Sequence, residues 1–297
     1  MLTPISIQNR IQTLKAEYDR LKIGKGSLLK LIDESEIPES VYNSNAIENS
    51  TLTLKETEKI LLEMEVSKNV SLREVFEAKN LARVMEYISD KSQEDLPKET
   101  ILLLHQMLLG NIDDSIAGRF RKKGEYVRIG TFIATPPEHI EQRLEEALIE
   151  YSSDQTTYFI DKICKFHLIF ETIHPFNDGN GRIGRVIINY QLYKLGFPGV
   201  IIRDKEKASY YHSFKEYRDD KQSFSSNKNT KTMDKILALA LMESLHKRIA
   251  YLKGAEIIEA SEYSVKLGKP TPVILNAAKR QTIPAFREKG VWKLGIK

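Results

Sequence analysis

Residues 174–185 bring a histidine, a carboxylate, a Gly-Asn-Gly turn and two arginines together within one short segment. Its sequence is His-Pro-Phe-Asn-Asp-Gly-Asn-Gly-Arg-Ile-Gly-Arg. Gly179-Asn180-Gly181 can adopt backbone conformations that branched residues resist, and the stretch from Arg182 has a helical pattern that stops at Gly196. The chain is therefore expected to form a tight turn that opens a helix.

Such a turn predicts an anion site, because the first N–H groups of a helix are unpaired and lie at the positive end of its dipole. Arg182 and Arg185 share one face of the first turn, where guanidinium groups suit phosphate oxygens. Asp178 precedes the turn, and a carboxylate there is best explained by Mg²⁺ between it and the phosphates. His174 can accept a proton near neutral pH, and Pro175 predicts that this histidine ends the preceding helix.

The segment resembles the Fic motif, His-Pro-Phe-x-(Asp/Glu)-Gly-Asn-Gly-Arg-x-x-Arg, at every defined position. The resemblance implies a protein adenylyltransferase, which moves AMP from ATP to a Ser, Thr or Tyr hydroxyl of a protein and releases pyrophosphate. It implies that His174 is the general base and that Asp178 holds Mg²⁺. It also implies that Gly179, Asn180 and Gly181 bind the α- and β-phosphates, and that Arg182 and Arg185 contact the outer phosphates. Phosphoryl transfer, phosphocholine transfer and removal of AMP from a modified protein stay open as alternatives.

A second motif lies upstream, where Ser44-Asn-Ala-Ile-Glu48-Asn49 taken alone indicates a helix start. It is similar to the Ser/Thr-x-x-x-Glu-Gly/Asn inhibitory helix of many Fic proteins. The resemblance implies that Glu48 pairs with Arg185 and prevents productive placement of the γ-phosphate. A carboxylate in this place would compete for the arginine and repel an anionic ligand, so inhibition within the same chain is expected.

Residues 124–137 alternate in polarity and break at Gly130, which predicts a short strand pair. The resemblance implies that this pair is a flap over the nucleotide, with exposed backbone that docks the target by strand addition. Ile129, Gly130, Thr131 and Phe132 are the flap residues expected nearest the nucleotide.

Tyr210 and Tyr211 lie in an amphipathic helix, where tyrosines usually pack in the core. Some Fic proteins have a tyrosine pair here that flanks the adenine, so both are candidate nucleotide-binding residues. Those relatives have an asparagine seven residues after the second tyrosine, whereas this chain has Arg218, and the adenine contact is therefore not carried over. The spacing of His167, Glu171 and His174 leaves a metal site as an outside alternative.

The composition, with 297 residues, 29% charged and 41% hydrophobic, is that of a globular protein. The sequence has neither a run long enough to span a bilayer nor a signal-peptide pattern, and its single cysteine, Cys164, fits a reducing cytoplasm. The expected fold is mainly α: a Fic-type helical bundle with a β-hairpin flap and a small C-terminal winged helix-turn-helix. The expected regions are 1–95 with the inhibitory helix at about 44–50, a catalytic core at 96–220, a linker and long helix at 221–254, and a module at 255–297.

The C-terminal module is basic, since residues 251–297 hold nine Lys/Arg against four Glu in a chain of net charge +4. Two short helices around Gly268 and a strand pair resemble a winged helix-turn-helix of the excisionase type, with a recognition helix near 271–280. DNA phosphates could be contacted by Lys279, Arg280, Arg287 and Lys293. A packing or oligomerisation unit is an equal alternative. The expected partners are a target protein, possible self-modification, possible DNA and a possible homodimer, and one rival function is a DNA-binding regulator that senses nucleotide.

Overall fold

The computed structural model describes residues 3–92, 94–130, 132–219 and 229–296. They form two compact units. The site unit comprises Ile37–Gly196 and Ile201–Asp234, and the second unit comprises Thr3–Glu36, Phe197–Val200 and the residues from Lys235 onward. The fold is mainly helical, as the periodicity of apolar residues predicts.

The elements follow one another as helices interrupted by two small groups of strands. The helices are α1 Ile5–Leu21, α2 Gly26–Ile47, α3 Leu54–Glu58, α4 Leu72–Lys91, α5 Lys98–Leu109, α6 Ile140–Ser153, α7 Phe159–Ile173, α8 Asn180–Lys194, α9 Lys207–Asp219, α10 Lys231–Leu252, α11 Ala260–Lys266 and α12 Thr271–Lys279. A π-helical segment, Lys59–Glu63, and two 3₁₀ segments, Pro137–His139 and Asp204–Glu206, lie between them. The strands are β1 Arg128–Ile129, β2 Phe132–Ile133, β3 Glu256–Glu259, β4 Ala285–Glu288 and β5 Val291–Ile296.

One apolar core holds α4, α5, α7 and α8 of the site unit together, with Leu81, Leu104, Phe170 and Ile187 among its buried side chains. The contact between α7 and α8 is close at Gly184. A Cβ built on this glycine would lie 2.6 Å from Oε1 of Glu171 and 2.8 Å from Cε1 of His167. Glycine at this position therefore fixes the spacing between the helix that precedes the motif loop and the helix that follows it.

The upstream motif differs from the expected helix start. Residues 44–47 are the last turn of α2, and Glu48 and Asn49 form the turn that follows. The Ser44 hydroxyl accepts a hydrogen bond from Nε of Arg185, so it does not cap a helix as an N-cap would. The inhibitory segment is thus the end of a long helix.

Thr53–Glu56 and Ser71–Glu74 both have the sequence pattern of a capping box, and only the first box is complete. Thr53 and Glu56 exchange both side-chain-to-backbone bonds. Ser71 accepts from the Glu74 N–H, but the Glu74 carboxylate accepts from the Thr51 N–H at 2.8 Å instead of from the N-cap backbone. Glu74 therefore anchors the chain just after the end of α2.

The C-terminal region contains the two short helices and the strand pair predicted from sequence, and a third strand that was not predicted. The antiparallel sheet has the order β3-β5-β4 and packs on a small core that includes Ile274, Ala278 and Leu294. Residues 221–228 of the predicted linker lie outside the described residues. Among the helices that the structure describes, none is long and apolar enough to cross a membrane.

A buried ion pair in the second unit gives a prediction about stability. Arg248 of α10 is 1% exposed and donates from Nη2 to Asp33 and to Glu36 at 2.7 Å. We expect Arg248→Ala to lower the free energy of unfolding by about 3 kcal/mol, because it removes a buried cation and leaves Asp33 without this partner, while Glu36 keeps Lys247 at 3.0 Å. Lys253→Ala is the control, since the Lys253–Glu17 pair is more exposed and should contribute less than about 1 kcal/mol. Equal losses in urea unfolding of the two variants would contradict this.

Candidate active site

The candidate base ends α7, as predicted. His174 is the C-cap residue of α7 and has φ 50° and ψ 62°, in the left-handed region. Pro175 disfavours the right-handed helical region for the residue before it, which explains why the helix stops here. The imidazole is placed at the start of the motif loop, before the turn at Gly179.

The turn into α8 is held by the side chain of Asn180. Its Oδ1 accepts from the Phe176 N–H at 2.9 Å, and its Nδ2 donates to the Phe176 carbonyl at 2.8 Å. Gly179 is the N-cap with φ 80°, so the turn uses the conformation that glycine allows. The Asn180 amide thus shapes the loop, and what it offers an anion is its main-chain N–H at the helix N-terminus.

His105 of α5 also fixes this loop, a role that no sequence motif indicates. Its ring stacks on Phe176 with centroids 3.7 Å apart, and its Nε2 lies 3.0 Å from the Asp178 carbonyl. Because Nδ1 accepts from the Gly118 N–H, Nε2 carries the proton and donates to that carbonyl. Burial lowers the pKa of His105 to about 4, which keeps the ring neutral. The sequence offers one signal for this role, a polar residue on the apolar face of α5, because a buried polar side chain needs hydrogen-bond partners.

Arg121 is a second buried residue that spacing did not reveal. Its guanidinium donates to the carbonyls of His174 and Ile173 at the end of α7, at 2.9 and 3.2 Å. It also donates to the carbonyls of Glu125 and Thr135, at 3.0 and 2.6 Å. These last two residues flank the strand pair β1–β2, so one side chain joins the hairpin to the loop.

Arg185 of α8 pairs with Glu48, the pair that the resemblance implies. Nη2 of Arg185 lies 3.0 Å from Oε1 of Glu48 and 2.8 Å from the Ser44 carbonyl. Nε donates to the Ser44 hydroxyl at 2.9 Å, and Nη1 to the Tyr210 hydroxyl at 3.3 Å. The guanidinium is 6% exposed, so its donors are committed to the end of α2 and to Tyr210.

The Glu48 carboxylate lies against the first turn of α8. A Cβ built on Gly181 would be 2.2 Å from Oε1 of Glu48, so only glycine permits the approach. This is the N-terminal region that the sequence identifies as an anion site. The carboxylate of the chain itself therefore occupies the neighbourhood where a phosphate is expected.

Helix α9 holds the end of α2 that carries Glu48. Nζ of Lys207 donates to Oδ1 of Asn49 at 2.7 Å and to the Ala46 carbonyl at 3.3 Å. The Tyr211 hydroxyl donates to the Ile47 carbonyl at 3.0 Å. A cation near the last carbonyls of a helix also interacts favourably with the helix dipole. We call Lys207 and Tyr211 the α9 clamp.

Asp178 accepts hydrogen bonds on both carboxylate oxygens. Oδ1 accepts from the Gly179 N–H at 2.5 Å and from Nη2 of Arg182 at 3.0 Å, and Oδ2 from Nη2 of Arg73 at 2.6 Å. Burial alone would raise the pKa of Asp178, but Arg182, the Gly179 N–H and Arg73 together lower it. Arg182 also pairs with Glu77 at 3.2 Å. The carboxylate is therefore ionised at neutral pH.

The remaining candidates differ in how accessible they are. Tyr210 is 1% exposed and its hydroxyl lies 2.9 Å from Nε2 of His167, so it is a core residue beneath Arg185. Tyr211 is 40% exposed. In the hairpin, Ile129 and Phe132 are half-buried and Gly130 is exposed with φ 61°, whereas Thr131 lies outside the described residues.

Arg218 occupies the position of the asparagine found in those Fic proteins that have the tyrosine pair. Its guanidinium carbon lies 4.9 Å from the ring centroid of Phe132 in the hairpin. The side chain is thus in a cation–π contact with the hairpin.

The residues behind the base form a buried polar group. Oε2 of Glu171 is 3.8 Å from Nδ1 of His174. Burial, and then the charge of Glu48, raise the pKa of Glu171 to about 8, with Arg185 opposing. Burial and Arg185 lower the pKa of His167 to about 3. Among the described residues, no three or more His, Cys, Asp or Glu side chains are arranged to hold a metal ion, so the His167–Glu171–His174 alternative is not formed.

Comparison with known proteins gives the family of the domain that contains the motif. Residues 95–192 match the model of the Fic/DOC family, so this part of the chain is a Fic/DOC domain. The fold is similar to that of a Fic domain containing signaling protein from Bacteroides thetaiotaomicron VPI-5482, with a TM-score of 0.72 and 26% identity, covering 82% of this chain and 97% of that one.

Two curated relatives carry the name protein adenylyltransferase. Fic from Drosophila melanogaster is 30% identical over 296 residues, which cover 95% of this chain and 58% of that protein. Fic-1 from Caenorhabditis elegans is 33% identical over 180 residues, which cover 58% of this chain and 35% of that protein. The chain therefore spans only part of the length of these relatives.

The raised pKa of Glu171 gives a prediction about pH. The folded protein keeps this proton up to about pH 8, whereas the unfolded chain loses it near pH 4.5, so stability falls as pH rises between these values. Glu171→Gln keeps the size of the neutral acid and removes the proton. We expect the wild type to lose up to about 1 kcal/mol per pH unit more than this variant in urea unfolding between pH 5 and 8. Parallel stability curves would show that Glu171 ionises normally.

Proposed function

We propose that the chain is a protein adenylyltransferase held inactive by Glu48. The observation that carries the proposal is the arrangement around α8. The base His174 ends α7 on one side of the turn, and on the other side Arg185 is paired with Glu48 against Gly181. The names of the relatives support the activity, and the Fic/DOC domain covers the residues that would perform it.

The reaction would be an in-line displacement at the α-phosphorus of ATP. The oxygen of a protein hydroxyl forms the new bond to phosphorus, the bond to the bridging oxygen breaks, and pyrophosphate leaves. His174 takes the hydroxyl proton. Burial, and then the charge of Arg121, lower the pKa of His174 to about 4, so its imidazole is unprotonated at neutral pH and ready to accept. The N–H groups at the start of α8 and the side chain of Arg182 would bind the phosphates.

Asp178 is the residue that would hold Mg²⁺. Mg²⁺ is commonly bound by one or two carboxylates together with substrate phosphates, and the ionised, one-third-exposed carboxylate of Asp178 fits that donor set. Arg73, which is 57% exposed, would have to release Oδ2. When bound, the ion would neutralise part of the negative charge on the phosphates.

Inhibition would follow from competition for one guanidinium. A nucleotide whose γ-phosphate reaches Arg185 must displace Glu48 from it, and the two anions repel each other at the α8 N-terminus. Binding without this displacement would leave the α-phosphate out of line with the attacking hydroxyl.

The first test is transfer of label from ATP to protein. We expect Glu48→Gly to raise incorporation from α-labelled ATP about tenfold or more, since a pair worth over 1.4 kcal/mol is removed. Adding His174→Ala should abolish it. Glu34→Gly is the control, because it makes the same substitution elsewhere, inside α2, and removes a carboxylate that pairs with Lys30 at a long 3.8 Å. Mass spectrometry of the self-modified Glu48→Gly protein identifies the group and the hydroxyl type.

The outcomes separate the alternatives. Incorporation from γ-labelled ATP instead would indicate phosphoryl transfer, and loss of AMP from a pre-labelled protein would indicate the reverse reaction. If neither Glu48→Gly nor His174→Ala changes labelling, the assignment is wrong.

The α9 clamp gives a second test of the inhibitory model. We expect Lys207→Met and Tyr211→Phe each to raise transfer, but less than Glu48→Gly does, because they loosen the end of α2 while the carboxylate remains. In the Glu48→Gly background the same changes should add nothing, since all three act through one contact. Lys205→Met, at an exposed neighbouring lysine, is the control. Additive gains would contradict the clamp.

No second function is proposed for the C-terminal region. Of the four basic residues considered for DNA, Arg287 pairs with Glu243 at 2.6 Å and stacks on Trp292, and Lys293 pairs with Glu288 at 2.9 Å. These pairs lower the charge available to phosphates. DNA binding, a homodimer and a cytoplasmic location stay predictions from the sequence.

A further inference from the structure

Arg121 lies in the segment between α5 and β1 and is 3% exposed. Its Nε and Nη2 reach the two carbonyls that end α7, those of His174 and Ile173. Nη1 and Nη2 reach the carbonyls of Glu125 and Thr135, one before and one after the hairpin. Its own main-chain N–H donates to the Pro175 carbonyl at 3.0 Å. The residue therefore bonds to both the loop that carries the base and the hairpin.

The acceptors of this guanidinium are main-chain oxygens, which carry no full charge. The nearby Glu125 carboxylate is held by Arg119 instead, in a two-bond pair of 2.8 and 2.9 Å. The positive charge of Arg121 is thus offset only in part, by the nearby Glu125 carboxylate that pairs with Arg119. A planar fork of donors also bonds to several acceptors at once, which a lysine ammonium on a flexible stem cannot reproduce.

We propose that Arg121 is a positioning residue for the transfer reaction, in which one guanidinium sets the end of α7 in register with both ends of the hairpin. The inference rests on the proposed function, because it takes His174 as the base and the hairpin as the surface that receives the target. The catalytic consequence is geometric. The hydroxyl of a target docked on the hairpin must lie within hydrogen-bond distance of His174, and misplacement by about 1 Å can cost about a hundredfold in rate.

The charge of Arg121 has a second consequence, which distinguishes it from a purely structural residue. The charged groups that act on the pKa of His174 are Arg121, which lowers it, and Glu48 and Asp178, which raise it. Glu171 faces Nδ1 of the same ring at 3.8 Å. Removing Arg121 removes the charge that lowers this pKa and leaves Asp178 to raise it, in the Glu48→Gly protein as well, so the pKa of His174 should rise towards the working pH.

Two variants separate geometry from charge, both made in the active Glu48→Gly protein. For Arg121→Gln we expect kcat for AMP transfer to fall by about a hundredfold, and the acid limb of the pH–rate profile to move up by about one pH unit. For Arg121→Lys we expect the acid limb to stay within about 0.3 pH units of the parent, because the positive charge is kept. kcat should still fall at least about tenfold, because a lysine cannot hold the loop and the hairpin in the same register. KM for ATP should change little in either variant, because the side chain of Arg121 makes no bond to the start of α8, where the phosphates would bind.

The pKa of His174 is also measured directly by NMR titration of its imidazole, which is assigned by the signal lost in His174→Ala. This readout does not need activity. An inactive Glu48→Gly protein would therefore overturn the proposed function, while the titration still decides whether Arg121 sets the state of the base. Arg143→Gln is the control, since it removes an exposed guanidinium of α6 that pairs with Glu146, and the pKa of His174 should not move.

Full kcat in Arg121→Lys, or an unchanged kcat and acid limb in Arg121→Gln, would overturn the proposal. Circular dichroism and thermal unfolding accompany both variants. Should Arg121→Gln fail to fold, Arg121→Lys decides alone, since a folded lysine variant with parental kcat contradicts the proposal and a folded one with low kcat and an unshifted acid limb supports it.

Discussion

The ion pair between Arg185 and Glu48 is the interaction on which the rest of the site depends. A guanidinium that is 6% exposed cannot be left without an anion, because an unpaired buried charge costs several kcal/mol. Another anion in the same place therefore favours the withdrawal of Glu48. The N-terminus of α8 favours an anion there as well, through its unpaired N–H groups and its dipole. The state of the site is thus set by which anion pairs with Arg185.

The position of Glu48 is determined from two sides of the turn that carries it. Before the turn, Lys207 and Tyr211 bond to the last carbonyls of α2, and after it the carboxylate of Glu74 accepts from the Thr51 N–H. Gly181 permits the approach of the carboxylate to α8. Because these contacts come from separate elements, Glu48 is held by tertiary structure and not by the local conformation of its own helix.

The sequence predicted what depends on neighbouring residues. The end of α7 at His174, the turn at Gly179, the start of α8 and the break of the hairpin at Gly130 follow from Gly and Pro, whose backbone preferences are local. The pairing of Glu48 with Arg185 came from resemblance to a family, since no local rule joins residues so far apart. Ser44 misled the local analysis because its hydroxyl bonds to Arg185 instead of to a helix N–H. His105 and Arg121 were missed because they act through long-range bonds to main-chain atoms, which leave no spacing in the sequence.

Those main-chain bonds have a consequence for how this chain can vary. His105, Arg121 and Asn180 fix the motif loop through carbonyl and N–H groups that every residue type except proline provides in full. The residue types at 105, 121 and 180 are therefore constrained. These hydrogen bonds place no such constraint on the side chains at the accepting positions 125, 135 and 173. Substitutions that keep the backbone path at those three positions should be close to neutral for loop geometry. Divergence among related chains can thus accumulate around the active site, within bonding distance of the base, without disturbing it.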